Sequence, residues 1–267
     1  MNIPEQPISQ KVLKYLLTIL IVAASIWSAS GLEVTPERFF EAPSKIWILI
    51  SAMFPLDLSS EAIERIVPKV GESLFIAWAG TVIGALLSFP ISFLAANNVT
   101  FNLLNSFTKQ VLNIIRAFPE LILAFVFLPI TGLGPLTGTL AVGIHSIGTL
   151  GKLSSEVIEG IDDGPLEAIK ASGGSKISEL LFGVIPQVMP TVVSYWLYRF
   201  EINLRASAVL GVVGAGGVGA ELINQLRFRD FPRAGTVLVV TIAMVLIIDT
   251  ISAAIRKRII KGRDIKV

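Results

Sequence analysis

A charged side chain inside an apolar stretch is kept only where it has a partner or a task, so such residues are the first place to look for chemistry. This chain sets Arg116 and Glu120 in one apolar stretch, His145 in a second, Arg199, Glu201, Asn203 and Arg205 in a third, and Asp249 in a fourth. Glu201 and Arg205 have i,i+4 spacing with the acid N-terminal, the better orientation for a pair on one helix face. Arg116 and Glu120 share that spacing, but Pro119 disturbs the turn between them. Arg199 meets only neutral Asn203 at i+4, which makes it the freer cation. Asp249 has no local partner, so its partner is expected on another helix. These groups either neutralise one another and fix packing or line a path for a charged solute. They form no nucleophile–base pair and no metal cluster. With one histidine and no cysteine in 267 residues, disulfides, thiolate zinc sites and cysteine-ligated clusters are excluded.

Two glycine patterns bear on nucleotide chemistry. Gly214-Ala215-Gly216-Gly217-Val218-Gly219 fits the G-x-G-x-x-G form of a dinucleotide site. That site needs a soluble βαβ unit and an acidic residue about 20 positions on, whereas this chain runs on into another lipid-length apolar segment. The glycines fit a tight turn or a broken helix at the mouth of a water-filled path instead. No G-x-x-x-x-G-K-[ST] motif occurs, so the chain has no P-loop for ATP hydrolysis, and no cofactor is expected. Energy for any pumping must come from another subunit or from an ion gradient.

The elements that position these residues are read from composition. The chain is 53% hydrophobic and 16% charged with a mean hydropathy of +0.74, against about 25% charge in soluble domains. A net charge of +2 is too small to argue for nucleic acid. Runs of about 18 or more apolar residues span a bilayer, and about six are expected: 12–29, 72–96, 111–130, 133–150, 188–213 and 234–255. The expected class is an all-α polytopic membrane protein. Residues 1–70 form an N-terminal anchor helix and external segment, with an interface-lying helix near Trp47. Residues 71–255 form the transmembrane core, with a polar loop at 151–187, and residues 256–267 form a basic tail. Ser28-Ala29-Ser30 resembles a signal-peptidase site, but the first apolar run exceeds the usual signal length and is read as a retained anchor. Arg256, Lys257, Arg258, Lys261, Arg263 and Lys266 in the tail place both termini and the 151–187 loop in the cytoplasm by the positive-inside bias.

The 151–187 loop has its own pattern. Asp162 and Asp163 are possible caps ahead of Pro165, and Leu166, Ile169 and Ala171 give a partly apolar helix face. Gly173-Gly174 break the segment, Ser175 can cap again, and Ile177, Leu180 and Leu181 resume at helical spacing. A helix–glycine–helix element between two spans is read as a docking element.

Glu167-Ala168, Gly173 and Ile185-Pro186 resemble the EAA loop of permease subunits of binding-protein-dependent ABC importers. The family's second Ala is Ile169 here, its usual Ile is Gly183 and its Leu is Ile185. His145–Leu153, Tyr198–Gly211 and Val213–Gly219 are similar to the phosphonate/phosphite branch, so the resemblance covers roughly residues 70–255. It implies a transporter subunit of a prokaryotic inner membrane rather than an enzyme, working with a separate cytoplasmic ATPase subunit, an external solute-binding protein and a second permease copy in a homodimer. It also implies that Glu167, Ala168, Gly173 and Gly174 couple to the ATPase. The candidate path residues are Arg116, Glu120, His145, Arg199, Glu201, Asn203 and Arg205, for a small oxyanion such as phosphonate or phosphite. The alternative is an ion-coupled secondary transporter or channel for a small anion, which leaves the docking loop without a purpose.

Overall fold

The computed structural model describes residues 8–31 and 36–264, and these contain helices and turns with no strand. They divide into two units, Met1–Ala52 and Met53–Val267. The first holds α1 (Ile8–Gly31) and α2 (Pro36–Ala52), which carries the expected interface residue Trp47 exposed.

The second unit begins with α3 (Ser60–Ala95), which starts ahead of the expected Glu72 because Ser59 caps it, its side chain accepting from the Ala62 N–H. Much of the expected external segment is therefore helical. The expected span over 111–130 is two helices, α4 (Asn102–Ala117) and α5 (Glu120–Thr131), bent by 85°. Pro119 lacks the N–H that would continue α4, and the chain turns there. α6 (Pro135–Glu159) runs beyond the expected Leu150. α7 (Gly164–Ala171) and the short α8 (Lys176–Ser178) form the polar loop, and a π-type turn (Glu179–Val184) leads into α9 (Ile185–Leu210). A glycine turn, α10 (Gly217–Arg227) and the long α11 (Phe231–Asp264) complete the unit; the tail residue Lys266 lies outside the described residues.

Among the described residues, four helical stretches are long and apolar enough to cross a membrane: Gln10–Gly31, Ser60–Ala95, Lys176–Val213 and Phe231–Ile260. The bent α4–α5 pair makes a fifth candidate. α6 is the remaining expected span. At 1.5 Å per residue its 25 residues reach roughly 37 Å, but glycine, serine and threonine lower its hydropathy. The reason is its place at the centre, between α3, α4, α5 and α9.

Packing there rests on small residues that let backbones approach, since lipid supplies little hydrophobic drive between helices. On α3, Gly80 and Gly84 lie against Val142 and Ser146 of α6. A Cβ at Gly148 of α6 would sit 2.9 Å from the Arg116 nitrogen and the Leu112 oxygen of α4. Buried hydroxyls return to their own helices, Thr81 to the Ala77 carbonyl at 2.6 Å and Ser146 to Val142 at 2.7 Å.

The two ends of this bundle differ. At one end, the chain between α9 and α10 folds tightly on Gly216 and Gly217, both left-handed at φ +79° and +69°. The Gly134 N–H donates to the Gly214 carbonyl at 2.9 Å, and the Val218 N–H donates to Ser73 Oγ at 3.0 Å. The expected tight turn is present, and no βαβ unit surrounds it. Beyond it, Arg233 Nε donates to Asp57 Oδ2 at 2.8 Å, pinning the segment before α3 to the start of α11. The Arg233 side chain, helped by Ser59, lowers the Asp57 carboxyl from its ordinary 3.8 to about 2. The opposite end carries the polar loop.

Candidate functional site

α9 carries four polar groups: Arg199 and Asn203 meet at Ser146 of α6, and Glu201 and Arg205 reach separate residues of α11. Arg199 donates from Nη2 to Glu120 Oε1 on α5 and from Nε to Ser146 Oγ on α6, both at 3.0 Å. Asn203 donates to Thr81 Oγ1 on α3 at 2.8 Å and to Ser146 Oγ at 3.0 Å. Glu201 pairs with Arg256 of α11, which also lies over the Tyr198 ring at 5.8 Å from its centroid. Arg205 pairs with Asp249 of α11 at 2.6 Å. At the bend, His145 Nδ1 donates to the Phe118 carbonyl at 2.9 Å, which satisfies an oxygen that a continuing helix would have used. Its Nε2 lies 3.5 Å from Glu120 Oε1.

This arrangement corrects two expectations. Glu201 and Arg205 are not partners, because both turn outward from α9 to separate residues of α11. Arg199 is not the free cation: it is 5% exposed and bound to Glu120. The pairing of Arg116 with Glu120 is broken by the bend, and exposed Arg116 forms no ion pair among the described residues. Asp249 does find its partner on another helix, as its sequence context required. Glu120, His145, Arg199 and Asn203 are brought into one partly buried network, while Arg205 and Arg116 stand apart from it. Arg256 was not singled out beyond the basic tail; its position facing Glu201 is visible only once α9 and α11 are side by side.

The polar loop is built as a lid with an apolar underside. Leu166 packs with Ile158, Val184 and Val188, and Gly183 leaves room for Leu166 and Ile169 above it. Ala171, expected on that face, is exposed instead. Glu167, Ala168 and Gly173 face outward, while Gly174 is covered by Ile169. Asp162 rather than Asp163 closes the entry, its Oδ1 accepting from the Gly164 N–H at 3.0 Å. Gln187 of α9 ties the loop down, accepting from the Asp162 N–H at 3.0 Å and donating to the Gly183 carbonyl at 2.9 Å. Gly173 has φ +81° with open space around it. Ser175 caps the second turn through the Ser178 N–H at 3.3 Å. Ile177 and Phe182 lie exposed on the same loop at 69% and 72%. At the glycine end, an open cavity of about 500 Å³ is lined by Phe125, Leu133, Val212, Val213, Asn224 and Arg227.

Lipid-length helices around a polar hub, with a folded polar loop held at one end, describe a transport permease. Residues 88–263 match the family of binding-protein-dependent transport system inner membrane components, and the chain belongs to it. It is 40% identical, over 70% of its length, to the phosphite transport system permease protein PtxC of Stutzerimonas stutzeri, of which it covers 68%. It is 38% identical, over 88% of its length, to the phosphate-import permease protein PhnE of Mycolicibacterium smegmatis, and spans 44% of that relative. Among solved structures, an inward-facing MetNI methionine ABC transporter chain matches 76% of this chain and 99% of its own length, with a TM-score of 0.67 and 19% identity. That likeness shows the fold, the type I ABC importer permease.

Proposed function

We propose that this chain forms half of the translocation path of an ABC importer for a small phosphorus oxyanion, phosphonate or phosphite. A second copy completes the path, two cytoplasmic ATPase subunits drive it, and an external solute-binding protein delivers the anion. The observation that carries this reading is the loop of α7 and α8. Its apolar side is seated on the bundle, leaving Glu167, Ala168 and Gly173 exposed for a partner. A chain without a P-loop needs such a partner to use ATP. The names of the phosphite and phosphate permeases above support the substrate class. In this reading both termini and the loop are cytoplasmic, the glycine turn lies at the outer mouth, and Arg199 with Glu120 fixes the helices around the path. The test is ATPase activity of the complex reconstituted with its ATPase and binding protein, stimulated by methylphosphonate or phosphite. Anion uptake by the chain alone, driven by an ion gradient, would instead establish a secondary transporter.

A further inference from the structure

Most charges on α9 are hidden, and one is not. Arg199 and Glu201 are 5% and 4% exposed, whereas the Arg205 side chain is 49% exposed. Arg205 belongs to a stripe at helical spacing on which Tyr198, Arg205, Val209 and Val212 are exposed among the described residues and Ile202 is half-buried. Its partner Asp249 sits within the apolar run of α11, between Val245–Ile248 and Ile251–Ala254. A guanidinium half open at that place in a span is not stable against lipid tails and calls for water or protein in front of it.

The pair is also incompletely built. Asp249 Oδ2 accepts from Arg205 Nη2, but Oδ1 is buried with no hydrogen-bond partner among the described residues. A carboxylate that matched the arginine fork would use both oxygens. Asp249 therefore neutralises Arg205 through one bond and leaves other donors of the half-exposed fork unclaimed by that carboxylate. A tetrahedral oxyanion presents the geometry that this fork binds bidentately.

We propose that Arg205 is the anion contact on the translocation path, with Asp249 as the counter-ion that holds it in readiness and yields it to the passing substrate. This rests on the importer reading above and names the residue that reads the charge of its substrate. Arg199, which the sequence favours for that task, has its fork occupied by Glu120 and Ser146.

The test uses the complete complex in proteoliposomes, with its ATPase and binding protein, and radiolabelled methylphosphonate as the probe. Arg205→Gln with Asp249→Asn removes both charges together and so leaves no orphaned ion. The complex should assemble in normal yield while uptake falls by about tenfold or more, the loss of one charge-assisted contact. Wild-type uptake by this double variant overturns the proposal. The exchanged pair, Arg205→Asp with Asp249→Arg, keeps the helix–helix attraction but puts a carboxylate on the stripe. It should assemble and fail to transport. Wild-type uptake by the exchanged pair, or failure of both double variants to assemble, makes the pair a packing element and overturns the proposal. If the wild-type complex takes up neither methylphosphonate nor phosphite, it is the oxyanion importer reading that fails.

Discussion

Glu120 is the counter-ion of a buried arginine, and its removal separates structural from path roles for that pair. Glu120→Gln leaves Arg199 charged with its side chain 6% exposed. Breaking a buried pair costs about 3–5 kcal/mol, and the lower end applies here because Glu120 keeps a quarter of its side chain exposed. Less protein should accumulate in the membrane, and the purified protein should unfold earlier. Arg199→Met with Glu120→Gln should recover most of that loss; a double variant no more stable than the single one would show that the pair is not the cause. Asp57 gives a pH test in the same terms. Its carboxyl is lowered to about 2 from 3.8, so its stabilising contact with Arg233 is fully present above about pH 4 and fades as pH falls toward 2. The stability difference between wild type and Asp57→Asn should be flat from pH 7 to 4 and shrink below that in thermal unfolding. A difference that disappears near pH 6 would contradict the assignment. These partners explain what the sequence hides about the site. The polar residues of α9 are visible as an anomaly in an apolar run, but a sequence offers only i,i+4 neighbours as partners. The true ones, Glu120, Arg256 and Asp249, are remote along the chain and meet through helix packing.

The polar loop is the element whose geometry makes the sharpest demand on sequence. Gly173 has a left-handed φ of +81°, and no atom lies within 4 Å of the point a Cβ would occupy, so conformation and not space is what a substitution meets there. An L-residue in that region costs about 1–2 kcal/mol, least for asparagine and most for a β-branched side chain. Gly173→Asn should keep ATPase co-purification and uptake near wild type, and Gly173→Val should abolish uptake and weaken ATPase co-purification while the protein stays in the membrane. Normal uptake by the valine variant would sink the coupling assignment. The loop was legible because it interrupts apolar runs with glycine, proline and capping residues, each with a local meaning. The lipid-facing spans were legible for the same reason: their length and hydropathy answer to the bilayer alone. α6 and the α4–α5 bend were less so. α6 is covered by other helices, so its composition follows close packing, and its true end at Glu159 lies beyond the apolar run. Pro119 announces a break in the sequence, but the 85° angle depends on what α4 and α5 pack against.

At the scale of the whole molecule, that bend decides the topology. Between Lys45 in α2 and Lys170 in α7 the chain passes through α3, the α4–α5 pair and α6. If the bent pair crosses the membrane, the two lysines are on opposite sides; if it re-enters, they are on the same side. The packing favours a crossing. α6 reaches from Gly138, which lies against Ile76 of α3, to Ile158, whose carbonyl accepts from Asn98 just after α3. The α4–α5 pair covers that same height in the reverse direction. Leu112 meets Gly151, Phe118 meets His145, and α5 leads to Gly134 beside the glycine turn. Lys45 and Lys170 also make a fair comparison. Their side chains are 70% and 58% exposed, and each is paired with a glutamate, Glu41 and Glu179. A difference in their reactivity therefore reports the side of the membrane rather than access on the protein. With an impermeant amine reagent, Lys45 should be labelled in intact cells and Lys170 only in inside-out vesicles. Labelling of both from outside would make the bent pair re-entrant, and labelling of Lys170 alone would invert the protein. Either result removes the loop from the cytoplasm, and the ATPase partnership with it.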